Sequence, residues 1–124
     1  MRWAFLVLAL VFASALPAQE MGMSGGVDFE KQILPLLETK CFECHSDLIK
    51  RPKGKLRLDS PEAIRAGGKG GPALRAGKPE LSSLYTRAAL PDDHDDVMPP
   101  SGEVWSKEEL NLVRQWIADG ALEN

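Results

Sequence analysis

The chain has 124 residues, enough for one small domain. Its 15 lysines and arginines stand against 18 aspartates and glutamates, a formal charge of −3. That balance excludes a nucleic-acid binder working by net charge.

Arg2, an apolar run over residues 3–12 and then small residues form the three parts of a secretory signal, assigned to residues 1–18. Ala13-Ser14-Ala15 and Leu16-Pro17-Ala18 both offer cleavage sites. Cleavage after Ala18 is preferred, because the earlier cut leaves a proline close behind it. The apolar run falls short of the roughly 20 residues that span a bilayer, so an uncleaved anchor is the lesser reading. The expected location is periplasmic or secreted, with no stable membrane insertion after cleavage. Without Arg2 the mature chain carries 14 basic against 18 acidic residues, near −4.

Residues 19–27 form a Gly/Met/Ser-containing lead-in, and residues 28–122 form the domain. Asp28 suits the cap of a helix beginning at Phe29. Phe29, Ile33, Leu36, Leu37 and Lys40 follow helical spacing, and Pro35 should kink that helix or split it. The second piece runs into Cys41-Phe42-Glu43-Cys44-His45. These are the chain's only cysteines, in the C-x-x-C-H spacing of c-type haem attachment. Two thiols three residues apart share one face of a helical turn, within reach of both vinyl groups of one porphyrin. His45 follows directly, placed to bind the iron. Exported free thiols would face an oxidising compartment, and thioether formation removes that exposure.

Residues 46–80 are rich in loops. Lys50, Arg51, Lys53, Lys55 and Arg57 crowd one stretch, which is either solvated or available to a haem propionate or a redox partner. Leu56 and Leu58 alternate with charged residues, which allows a brief extended strand. Ser60 and Pro61 read as the cap and first position of a short helix that Gly67-Gly68 ends. Leu81, Leu84, Tyr85 and Ala88 mark another short helix, stopped by Pro91. Asp92, Asp93, Asp95 and Asp96 make an acidic loop around His94. The last helix has an S-x-x-E capping box in Ser106 and Glu109, with Trp105 and Leu110 as a hydrophobic staple. Leu110, Val113, Trp116 and Ile117 form its buried face, and Gly120 its C′ residue.

A second axial ligand is expected for simple electron transfer, and Met98 is the leading candidate. Pro99 and Pro100 follow it and stiffen the backbone there. His94 is the rival, and an open sixth position is the third choice. Met98 and His45 together would give the Met/His pattern that raises the reduction potential. Arg57, Arg75 and Trp105 are candidates for the propionates.

In order along the chain, Phe29-Glu30-Lys31-Gln32-Ile33-Leu34-Pro35-Leu36-Leu37, the C-x-x-C-H run, Leu56-Arg57-Leu58-Asp59-Ser60, Gly70-Gly71-Pro72-Ala73, Gly77-Lys78-Pro79-Glu80, Met98-Pro99-Pro100 and Trp116-Ile117-Ala118-Asp119-Gly120-Ala121 resemble the planctomycete-type cytochrome c domain. That domain is a branch of the small class I cytochrome c fold with a single haem. The resemblance implies an all-α fold with crossed first and last helices. It also implies one covalent haem c on Cys41 and Cys44, with His45 proximal and Met98 distal.

The leading functional reading is an exported one-electron carrier, not an enzyme, working as a monomer with a redox partner protein and no nucleic acid. The alternative is a haem enzyme or gas sensor with a labile sixth ligand. A thiol oxidoreductase would need a thioredoxin-like βαβ pattern, which the sequence lacks. Structural zinc on Cys41, Cys44, His45 and His94 suits the geometry poorly, since Cys44 and His45 are adjacent and point apart.

Overall fold

The computed structural model describes residues 26–100 and 105–123. The expected signal, its cleavage sites and most of the lead-in lie outside the described residues. Helices carry the fold, and among the described residues the only β pairing is an isolated bridge between Gly68 and Gly71. The architecture is therefore all-α, as expected. No helix among these residues is long and apolar enough to cross a membrane.

The first helical segment is split at the proline. A π-helical turn, Phe29–Ile33, is capped by Asp28, whose side chain accepts from the Lys31 amide. Helix α1, Leu34–Lys40, then restarts with Pro35 in its opening positions. Proline has no N–H to continue the preceding turn, but that donor is dispensable at a helix start. Two short helices follow, α2 (Pro61–Ala66) and α3 (Ser83–Ala88), and then α4 (Lys107–Ala118).

Helix α4 is bounded at both ends by local chemistry. The Glu109 amide donates to Ser106 Oγ and the Ser106 amide to Glu109 Oε1, completing the capping box. At the other end Gly120 takes φ 108°. The Ala121 amide reaches the Trp116 carbonyl and the Gly120 amide the Ile117 carbonyl, the paired bonds of a Schellman stop.

The two ends of the domain pack together. Phe29 stacks on Trp116 with ring centroids 5.2 Å apart. Ile33 and Leu37 on one side, and Val113 and Ile117 on the other, belong to the same buried cluster. Trp116 also donates through Nε1 to the Leu122 carbonyl, and Arg65 of α2 donates to the Ala121 carbonyl. The contact thus combines aromatic stacking with hydrogen bonds to the carbonyls of Ala121 and Leu122 just beyond α4.

Helix α2 forms as its sequence predicts: Ser60 Oγ accepts from the Ala63 amide, and Pro61 follows. Gly67 ends it at φ 72°, where a Cβ would collide with the Gly71 carbonyl. Only glycine fits that contact.

Two expectations need correction. Leu81 is not on the buried face of α3. It belongs to a separate 3-10 turn, Pro79–Leu81, and is exposed. Ser82 separates the two elements, because its buried hydroxyl is committed to the Arg75 and Lys78 carbonyls and to the Arg75 amide. Leu56 and Leu58 form no strand ladder. Leu56 is extended, at φ −100° and ψ 131°, but its amide donates to the Lys53 carbonyl, its carbonyl meets His45 Nδ1 and the Leu58 amide donates to the His45 carbonyl.

Trp116→Ala should cost about 3–5 kcal/mol of stability, the usual range for deleting a buried large aromatic. Chemical denaturation would measure it. A loss below about 1 kcal/mol would show that the helix crossing does not depend on this ring.

Candidate functional site

The C-x-x-C-H turn begins where α1 ends. The Cys41 amide still bonds back to Leu37, and the Cys44 and His45 amides both donate to the Cys41 carbonyl. Ser46 is fully buried, and its hydroxyl closes on the Phe42 carbonyl. The loop beyond then folds back over the turn. The Lys53 amide donates to the Cys44 carbonyl and the Leu58 amide to the His45 carbonyl.

His45 is oriented by the same loop. Its Nδ1 lies 3.2 Å from the Leu56 carbonyl oxygen. A carbonyl can only accept, so this bond places the ring proton on Nδ1. The lone pair of Nε2 is left for a metal, the usual arrangement for a ligating histidine. No pattern in the sequence singled out Leu56 for this role; the bond joins residues 11 apart through a turn.

Cys41, Cys44, His45 and Met98 all line one cavity of about 440 Å³. That volume lies within the range of cofactor pockets, about 300–1,000 Å³. Leu56, Leu58, Ala73, Leu84, Ala88 and Trp105 provide apolar wall. Lys53 and Arg87 bring cations to the same cavity, and they are the basic residues suited to acidic substituents on a bound group. Neither Arg57 nor Arg75 lines it. Arg57 is instead paired with Asp59 at 2.9 Å and Asp47 at 3.6 Å. The apolar wall, the two thiols and the imidazole with its lone pair left over are a donor set that fits a covalently attached haem.

Met98 is held by its backbone. Its amide donates to the Arg87 carbonyl at 3.2 Å, and its carbonyl accepts from Trp105 Nε1 at 3.1 Å. Trp105 therefore does more than the staple role read from the sequence. His94 is exposed and does not line the cavity, and its Nδ1 accepts from the Asp96 amide. Among the described residues no group of three or more His, Cys, Asp or Glu side chains could hold a metal ion, which removes the four-ligand zinc arrangement.

Lys40 joins the site to α4. Its side chain is only 5% exposed; Nζ lies 3.4 Å from Glu109 Oε2 and 5.2 Å from the Trp105 ring centroid. A cation over an indole face is attractive, more so when desolvated. Burial by itself would push the Glu109 carboxyl up, but the hydrogen bonds with Ser106 and the Lys40 charge outweigh it and hold the group below its ordinary 4.5. Burial pushes the Cys41 thiol up to about 12; Lys40 pulls it down by less, and Cys44 adds to the rise. Thiol exchange proceeds through the thiolate, so Cys41 is a poor redox thiol in this setting.

Residues 41–102 match the Planctomycete cytochrome C family. The chain belongs to that family. The match starts at the first cysteine of the motif and runs past Met98, so it contains the cavity's four chemical landmarks. Neither the curated proteins nor the solved structures compared with the chain gave a match. As a cytochrome c domain, the chain is a haem-binding protein of the electron-carrier type.

Because the Glu109 pKa is depressed on folding, the stability it supplies is present above the ordinary carboxylate value and fades as pH falls through the lowered one. Glu109→Gln should therefore melt at lower temperature than the parent protein near pH 7. The difference should shrink once pH drops below about 4.5. Melting curves across that range would test it; a constant difference down to pH 3 would mean the Glu109 charge contributes nothing.

Proposed function

We propose that this protein is an exported monohaem cytochrome that carries single electrons and has no substrate chemistry of its own. Cys41 and Cys44 would hold the haem through thioethers, His45 Nε2 would be the proximal ligand and the Met98 sulfur the distal one. When bound, the group supplies an iron that accepts and returns one electron. The observation that carries this reading is the convergence of Cys41, Cys44, His45 and Met98 on one cavity.

The chain's own contribution is positional. The Leu56 carbonyl fixes the imidazole's tautomer and makes it a better donor. Arg87 and Trp105 hold Met98 from both sides, a restraint that disfavours a freely displaceable sixth ligand and hence the enzyme or gas-sensor alternative. Lys53 and Arg87 would balance the propionates. Met/His ligation raises the potential relative to harder ligands. The protein would act as a monomer in the periplasm or outside the cell, exchanging electrons with a partner protein.

Optical spectra of protein exported from a host that matures cytochromes c provide the test. The expected result is a c-type reduced spectrum and, in the oxidised form, the weak long-wavelength band of sulfur–iron ligation. Met98→Ala should lose that band and admit carbon monoxide to the ferrous protein. Met98→His should keep a six-coordinate spectrum with a lower potential. A chain with no haem absorption would overturn the proposal, and an unchanged band in Met98→Ala would move the distal ligand elsewhere.

The Cys41→Ala/Cys44→Ala double variant should be poorly packed, since the apolar wall would lose its covalently fixed occupant. Circular dichroism should show a broad, weakly cooperative melt. A native-like, sharp transition would contradict this dependence.

A further inference from the structure

One wall of the cavity has almost no side chains. Gly54, Gly68, Gly70 and Gly71 all line it. A Cβ added at Gly54, Gly70 or Gly71 would meet nothing within 4 Å, and Gly54 and Gly70 are exposed, so this part of the wall reaches solvent. The two glycine segments lie side by side as one surface. The Lys69 amide donates to the Gly54 carbonyl at 2.8 Å, and Gly68 packs so close to that carbonyl that no Cβ would fit.

The two glycine arms carry one sign of charge, while Glu43, which also lines the cavity, lies on the Cys41–His45 turn outside them. Lys53 and Lys55 flank Gly54, Lys69 stands between Gly68 and Gly70, and all three are exposed. Residues 48–58 and 63–79, the two arms that form the opening, contain no aspartate or glutamate. Among the described residues the ion pairs in these arms are those of Arg57 with Asp47 and Asp59; Lys53 lines the cavity and is given above to a propionate, which leaves Lys55 and Lys69 for solvent or a visitor. This local surplus sits on a chain whose formal charge is −3.

We propose that the glycine opening flanked by Lys55 and Lys69 is the face through which this protein exchanges electrons with an acidic partner protein. The proposal rests on the carrier reading above and adds the place and the partner's charge. Side chains there would hold a partner away from the cavity's contents, and their absence permits close approach. Cations around a concave site with low-dielectric walls focus the field and raise the encounter rate of an anionic partner.

Charged inorganic oxidants separate local from net charge. Reduced holoprotein gives one electron to hexacyanoferrate(III), which becomes hexacyanoferrate(II), while the protein becomes ferric. If the opening governs encounter, this rate falls as salt is added, despite the chain's negative net charge. If net charge governs, it rises. Lys55→Glu/Lys69→Glu should slow the reaction roughly tenfold at low ionic strength. Lys31→Glu/Lys78→Glu makes the same change of charge on exposed residues outside the opening and should have a much smaller effect. Gly70→Leu adds no charge and should slow both hexacyanoferrate(III) and the cationic oxidant tris(phenanthroline)cobalt(III) by covering the opening.

Each variant is first checked for a normal c-type spectrum. If the parent protein has no haem, the carrier reading fails and the opening with it. If the spectra are normal but the two double variants slow equally, or Gly70→Leu changes nothing, the opening is overturned and the carrier reading stands. Lysine-dependent sedimentation with phosphatidylglycerol vesicles, without the hexacyanoferrate effect, would assign the lysines to a lipid surface and also overturn the proposal.

Discussion

A cavity of about 440 Å³ in a chain of 124 residues is the constraint on which the other features depend. Loop residues make up much of its wall, because the four short α-helices among the described residues do not enclose it by themselves. The loops must therefore close over the space, and whatever fills it belongs to the core. This explains why the loop segments here are so fully bonded, from Leu58 on His45 to Leu84 on Ala73.

The cavity is built from two halves with separate supports. The Cys41–His45 turn hangs from α1 and is covered by the loop that carries Leu56 and Leu58. The Met98 segment hangs between α3 and α4, fixed by Arg87 on one side and Trp105 on the other. Phe29 and Trp116, the stacked pair at the helix crossing, set the distance between these halves without lining the cavity. Lys40 links them directly, since it precedes the motif, pairs with Glu109 and lies over Trp105. Fold and site therefore share one framework.

The parts legible in the sequence were those with local causes. Asp28, Ser60 and Ser106 cap helices because a short polar side chain reaches an amide three residues ahead, a relation visible in any window of four. The buried face of α4 and the stop at Gly120 followed from periodicity and from a glycine at the right offset. The C-x-x-C-H run named its cofactor by spacing. Features with distant causes were not legible. Leu56 and Leu58 alternate like a strand, yet their partner is His45 and not a neighbouring strand. Leu81 kept helical spacing, but Ser82's buried hydroxyl ended one element and left another to begin. Arg87 carried no signal at all, because it matters through its carbonyl on Met98 and its place on a wall assembled from remote segments. Lys40 fell in the helical spacing of Phe29, Ile33 and Leu37, but nothing local pointed to its partners Glu109 and Trp105 on and beside α4.

The Cys41 thiol carries a consequence for the order of assembly. With its pKa pushed up to about 12 in the packed chain, the reactive thiolate is a vanishing fraction at neutral pH. Once α1, α4 and the covering loop have closed, that sulfur is chemically quiet. Under the proposed function, the Cys41 carbon–sulfur bond forms more readily while the chain is still open and that thiol is wet. Maturation would then favour one order: attachment first, wrapping second. A protein that had folded without its cofactor would still present Cys41 at the cavity wall, but as a thiol with little thiolate to react.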